Sequence, residues 1–170
     1  MTGMDVEVRR ARTSDVAAIR SLVEGYAQDG ILLGKPLVSL YEDVQEFWVA
    51  ASQEDGAVVG CGALHVIWED LAEVRTVAVD PAWRGLGIGS RVVERLLETA
   101  RSLGVRRVFV LTFEVDFFAR HGFEVIDGAP VASDVYEELL RSFDEGVAEF
   151  LDLERVKPNT LGNTRMLLSL

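Results

Sequence analysis

Glu73-Val74-Arg75-Thr76-Val77-Ala78-Val79-Asp80-Pro81-Ala82-Trp83-Arg84-Gly85-Leu86-Gly87-Ile88-Gly89-Ser90 is the stretch that organises this 170-residue chain. From Glu73 to Val79 apolar and polar residues alternate, the period of a half-buried strand. Asp80-Pro81 ends the ladder, since proline has no N–H to give it. Three alternating glycines then stand beside Arg84 and open a segment, Ser90 to Leu103, that carries Val92, Val93, Leu96, Leu97 and Ala100 on one helical face and closes at Gly104. Strand, glycine turn and helix N-terminus in that order form an anion cradle. Glycines admit close approach of the backbone, the first helical N–H groups have no intrahelical partner, and the helix dipole adds partial positive charge. Arg84 supplies a charge-assisted donor for a phosphate oxygen.

Working outward, Val6 and Val8 mark a first strand, and Thr13-Ser14-Asp15 offers a cap for a helix with Val16, Ile19, Leu22, Val23 and Tyr26 in register, stopping at Gly30. A short helical piece at 39–45 leads to a strand at 47–50, and the turn Glu54-Asp55-Gly56 separates it from a long strand at 57–68. Beyond the decisive stretch the pattern predicts a strand at 107–112, a short helix at 114–120, a strand at 123–126, a helix at 133–142, and strand or extended segments at 147–153 and 165–170. The class is mixed α and β, with hairpins first and strand-helix crossovers later. One domain spanning 1–170 is expected from the length.

Composition narrows the partners. Acidic side chains number 28 against 17 basic, a net charge of −11, so nucleic acid and anionic membrane surfaces make poor partners. The single cysteine, Cys61, and a first dozen residues without an apolar run point to a reducing, cytoplasmic setting. His65 and His121 have no ligand-spaced companions in sequence, so no metal is expected. Cys61 between Gly60 and Gly62 reads as a small core residue, with an acyl-carrying thiol as the alternative. His121, in Arg-His-Gly, suits a helix C-terminus.

Spacing discriminates among phosphate ligands. A nucleoside-triphosphate loop needs Lys-Ser or Lys-Thr after its last glycine, whereas Ser90-Arg91 follow Gly89. A dinucleotide fingerprint wants its first glycine directly off the strand, and here Asp80 to Arg84 intervene; it stays open only weakly, with Glu114 as a ribose contact. Coenzyme A is the remaining option.

The alternating strand, Asp-Pro and Arg-x-x-Gly-x-Gly opening a helix resemble the GNAT superfamily of acetyl-CoA-dependent N-acetyltransferases. That resemblance implies a GNAT fold: a mostly antiparallel mixed sheet of six to seven strands flanked by helices, splayed to form the acetyl-CoA groove. It further implies coenzyme contacts from Val77, Ala78 and Val79 along the strand, from Arg84, Gly85, Leu86, Gly87, Ile88, Gly89 and Ser90 in the loop, and from Phe117, Phe118 and Arg120 in the later helix. Ile31 to Leu37, Glu73 to Val79, Leu111 to Phe118 and Val156 to Met166 are similar to the short actinobacterial N-acetylglutamate synthases. These lack an amino-acid-kinase domain and acetylate L-glutamate, or L-glutamine, at the start of arginine biosynthesis.

The resemblance puts Glu73 at the general-base position, with a strand carboxylate paired to Arg75 as the alternative, and points the Val77 N–H at the oxyanion. Where relatives carry a tyrosine as acid toward the leaving thiolate, this chain has Phe117-Phe118, which leaves water, Tyr26, Tyr41 or Tyr136. An acceptor with one or two carboxylates needs cations and polar partners. Lys35, Arg75, Thr76, Lys157, Asn163 and Arg165 stand in the matching segments; solvated side chains are the alternative for the basic ones. A homodimer is expected. Competing functions are a GNAT acting on another small amine and a non-catalytic acetyl-CoA sensor.

Overall fold

The computed structural model describes residues 4–28, 36–151 and 163–170. Its strands are β1 Val6–Arg10, β2 Phe47–Ser52, β3 Val58–Trp68, β4 Leu71–Val79, β5 Arg107–Thr112, β6 Glu124–Val125 and β7 Thr164–Ser169. They form one seven-stranded sheet in the order β1-β2-β3-β4-β5-β7-β6. The β1–β2, β2–β3, β5–β7 and β6–β7 ladders are antiparallel, whereas Leu71–Glu73 of β4 pair in parallel with Arg107–Phe109 of β5. The helices are α1 Val16–Gln28, α2 Leu37–Glu42, α3 Ile88–Leu103, α4 Val115–Arg120, α5 Ser133–Leu139 and α6 Glu145–Phe150. Parallel neighbours require a crossover, and α3 supplies it between β4 and β5. The mixed class and the mostly antiparallel sheet expected from the sequence are both found. Among the described residues no helix is long and apolar enough to cross a membrane.

Two compact units divide the chain. In the first, Met1–His65 with Val74–Leu103, the side of α1 bearing Val16, Ile19 and Val23 packs with Leu40, Phe47, Val49, Cys61, Ala63 and Ala78. A single 3-10 turn, Thr13–Asp15, leads into α1. Asp15 accepts the Arg12 N–H at 2.7 Å and grips the Arg9 guanidinium at 2.8 and 3.0 Å. The Arg9 hydrogen bond outweighs burial and holds the Asp15 carboxyl below its usual range. A carboxyl depressed in the folded state stabilises the fold above its unfolded value, and that contribution disappears as pH falls through the folded value. Asp15→Ala is therefore expected to cost about 2–3 kcal/mol in urea unfolding at pH 7. The gap to the wild type should narrow as pH drops below roughly 4, the unfolded carboxyl range.

The other side of β3 explains where α3 sits. A Cβ on Gly60 would lie 2.9 Å from Cγ2 of Ile88, and one on Gly62 would lie 2.8 Å from Cγ1 of Val92. Only a strand without side chains at both positions lets α3 come this close. On β2, Trp48 is flanked by the guanidinium groups of Arg10 and Arg95, 4.9 and 5.4 Å from its ring centre.

In the second unit, Val66–Glu73 with Gly104–Leu170, the core gathers Leu71, Phe109, Leu139, Val147, Phe150 and Leu151, with the Phe109 and Phe150 rings stacked at 4.1 Å. One expectation fails here. Residues 147–153 were expected to be a strand or extended, yet Val147 to Phe150 belong to α6 and Leu151 is its C-terminal cap. The Asp144 carboxylate accepts the Val147 N–H at 3.0 Å and caps the helix, and Val147, Phe150 and Leu151 then fall on one face at i, i+3 and i+4. A six-residue helix is too short for its period to stand out in sequence. His121 is the C-terminal cap of α4, as its sequence context suggests.

Candidate active site

β4 changes character half-way along its length. Glu73 is 5% exposed and pairs in register with Phe109; past it, buried and half-buried residues alternate through Val79. Thr76 interrupts this run with φ at +58°, the one described non-glycine residue in the left-handed region. A β-branched side chain there is a true outlier, with a cost of about 1–3 kcal/mol that the surroundings must hold in place. Part of the hold is visible: the Cys61 thiol donates to the Thr76 carbonyl at 3.4 Å. Cys61 is fully buried, and burial pushes its thiol up to about 12. A thiol protonated so firmly is no nucleophile at neutral pH, which argues against an acyl-cysteine and for direct transfer.

The loop after β4 is set by short local bonds. Asp80 donates its N–H to the Val59 carbonyl at 2.8 Å, and its carboxylate accepts from the Ala82 N–H at 2.9 Å, starting the 3-10 turn Pro81–Trp83. The Arg84 N–H is directed at the Pro81 carbonyl, 3.4 Å away, so the side chain rather than the amide is this residue's main asset. Gly85 and Gly87 have φ of +78° and +77°, which only glycine adopts without strain. α3 begins at Ile88, and the Arg91 N–H makes a bond to the Gly87 carbonyl at 3.1 Å. The amides of Ile88, Gly89 and Ser90 thus occupy the first turn, where helices lack internal acceptors.

Tyr26 ties strand and loop together. Its hydroxyl donates to the Val79 carbonyl at 2.8 Å and accepts from the Val79 N–H at 3.4 Å and from Nη2 of Arg84 at 3.2 Å. The Arg84 guanidinium also lies 5.4 Å from the Tyr26 ring centre. Tyr26 ends the apolar row of α1, so the sequence placed its ring in the core; nothing in its spacing foretold the partner of the hydroxyl. Strain at Thr76 is likewise invisible in a run that alternates normally.

In the first unit, then, Arg75, Thr76, Val77, Ala78 and Val79 lie on one strand, continuous with Glu73, and Arg84 to Ser90 follow at its end. In the second unit, Phe118 is buried, with its ring edge-on to those of Phe117 and Phe123, and the Arg120 guanidinium lies 6.0 Å from the Phe117 ring centre. Asn163 and Arg165 converge on Glu149, Asn163 on the carboxylate and Arg165 on the backbone carbonyl at 3.4 Å. Lys35 and Lys157 lie outside the described residues. Of the tyrosines considered as acids, Tyr41 is exposed, Tyr136 packs on the second unit's core and Tyr26 is engaged at Val79. His65 meets Glu46 at 2.9 Å, a partner 19 residues away that spacing rules cannot find. Among the described residues no group of three or more His, Cys, Asp or Glu side chains could hold a metal ion.

The family model of the acetyltransferase (GNAT) family matches residues 19–123. The chain belongs to the GNAT acetyltransferase family. An amino-acid acetyltransferase of Mycobacterium tuberculosis is 66% identical to this GNAT chain over 164 residues, 96% of this chain and 94% of the relative. A crystal structure of a Mycobacterium tuberculosis protein in complex with CoA matches with a TM-score of 0.93 at 65% identity, covering 96% and 99% of the two chains. The N-acetylglutamate synthase of Neisseria gonorrhoeae, complexed with coenzyme A and N-acetyl-glutamate, shares the fold at a TM-score of 0.77 and 23% identity; the match covers 98% of this GNAT chain and 35% of the synthase.

Proposed function

We propose that this GNAT chain transfers the acetyl group of acetyl-CoA to the α-amine of L-glutamate, or of its amide L-glutamine, the first step of arginine biosynthesis. The observation that carries this reading is the 66% identity, over nearly the whole of both chains, to a relative named for amino-acid acetylation. The loop geometry supports the coenzyme half. In this reading the amides from Gly85 to Ser90 and the Arg84 guanidinium meet the diphosphate, Leu86 borders it, and the pantetheine arm runs along the main chain of Val77, Ala78 and Val79. Phe117, Phe118 and Arg120 are proposed as further coenzyme contacts by resemblance to the family.

The chemistry follows from what acyl transfer needs. Glu73 takes a proton from the acceptor's ammonium group, freeing the nitrogen lone pair. The nitrogen attacks the thioester carbonyl carbon, and the developing oxyanion receives the Val77 N–H, which the left-handed turn at Thr76 orients. The nitrogen then gives up its second proton to solvent, the C–S bond breaks, and the CoA sulfur leaves with the electron pair and takes a proton from solvent, since Phe117-Phe118 offer none, so that a neutral amide and a free thiol remain. Arg75 and Thr76, with Lys35, Lys157, Asn163 and Arg165, are proposed to receive the acceptor's carboxylates. We place the protein in the cytoplasm as a homodimer, a state that sedimentation velocity would measure.

Purified protein given acetyl-CoA and single amino acids should release free thiol with glutamate or glutamine. Release with neither, or only with cationic amines, would return the chain to the family without an amino-acid substrate. In a thermal-shift comparison acetyl-CoA should raise the melting temperature and NAD should not.

A further inference from the structure

We propose that Tyr26 is a positioning residue for coenzyme recognition: its hydroxyl and ring set the Arg84 guanidinium at the end of β4, where the diphosphate of acetyl-CoA is met. The inference rests on the coenzyme reading of the loop given above. A phenol oxygen has one proton to give and two lone pairs to accept with. In Tyr26 all three are used, and every partner belongs to the strand-loop segment: the Val79 carbonyl, the Val79 N–H and Nη2 of Arg84. Ring and guanidinium add a face contact at 5.4 Å, so the arginine is held both by its rim and by its plane.

The physical benefit is preorganisation. Arg84 is an exposed, long side chain flanked by Gly85, which restrains nothing. Left alone it would lose its rotamer freedom on meeting a phosphate; anchored on a tyrosine fixed in α1, it has lost much of that freedom beforehand.

The test uses four proteins, wild type, Tyr26→Phe, Arg84→Gln and the double variant, and two ligands, acetyl-CoA and acetyl-pantetheine, which lacks all phosphates. Phenylalanine keeps the ring and deletes only the hydroxyl. Tyr26→Phe should raise the Kd for acetyl-CoA by roughly 3- to 10-fold, the worth of a hydrogen bond to a charged group discounted for its exposed setting. It should leave the affinity for acetyl-pantetheine unchanged and add nothing further in the Arg84→Gln background. Equal losses for both ligands would mean that Tyr26 merely supports the fold and would overturn the proposal. So would additive losses with Arg84→Gln. Tighter acetyl-CoA binding by Tyr26→Phe would overturn it differently, by showing that the hydroxyl competes with the pantetheine arm for Val79. If the wild type binds acetyl-pantetheine and acetyl-CoA equally well, or neither, the coenzyme reading of the loop falls, and this proposal with it.

Discussion

Glu73→Gln is expected to lower kcat by roughly 10²–10⁴-fold, the range for removing a positioned general base. Glutamine keeps the size and one acceptor oxygen of the original, so β4 should retain its register with β5 at Phe109. The Kd for acetyl-CoA should change by no more than about twofold, because Glu73 precedes the loop and strand end assigned to the coenzyme. Steady-state rates beside a calorimetric titration separate the two quantities. Turnover equal to that of the wild type would leave Glu73 a structural carboxylate of β4. A parallel loss of rate and coenzyme affinity would point to disruption of the strand rather than of proton transfer.

The largest expected effect on stability comes from Gly62→Val. A Cβ here already meets Val92 at 2.8 Å, Leu96 at 3.1 Å and Val77 at 3.4 Å, and two γ-methyls would have to enter the same space. Val92 and Leu96 are fully buried and have nowhere to retreat, so about 3 kcal/mol is expected from overpacking. For a chain of this size that amounts to a fall in melting temperature on the order of 10 °C. Coenzyme affinity should suffer as well, because the helix pushed outward begins with the amides assigned to the diphosphate. Gly25→Val provides the contrast: nothing lies within 4 Å of a Cβ there, so only helix propensity changes and stability should hold or rise slightly. Equal melting temperatures for Gly62→Val and the wild type would refute the close seat of α3 on β3.

Much of this architecture is legible because its elements are long or sharply punctuated. The row from Val16 to Tyr26, the face from Val92 to Ala100 and the alternation from Glu73 to Val79 each repeat their period often enough to be read, and Asp80-Pro81 with the glycines marks the junction. α6 is the opposite case, six residues whose apolar positions fit either period until the cap at Asp144 is seen. The turn that joins β4 to α3 was readable from glycine spacing, and Gly85 and Gly87 take up the left-handed backbone there. What could not be read depends on partners distant in sequence: Tyr26 with Arg84, 58 residues apart; His65 with Glu46; the Cys61 thiol under the carbonyl of Thr76. No periodicity encodes such meetings, since they arise only when elements distant in sequence have come together.

The left-handed backbone at Thr76 has a consequence for anyone redesigning this chain for heat resistance. Judged by conformational preference alone, Thr76 is the first residue to replace, and glycine there would relieve the steric penalty. Relief would also loosen the bend beside Val77, whose N–H we propose for the oxyanion, so on that proposal the most durable sequence and the most active sequence of this protein should differ at this position.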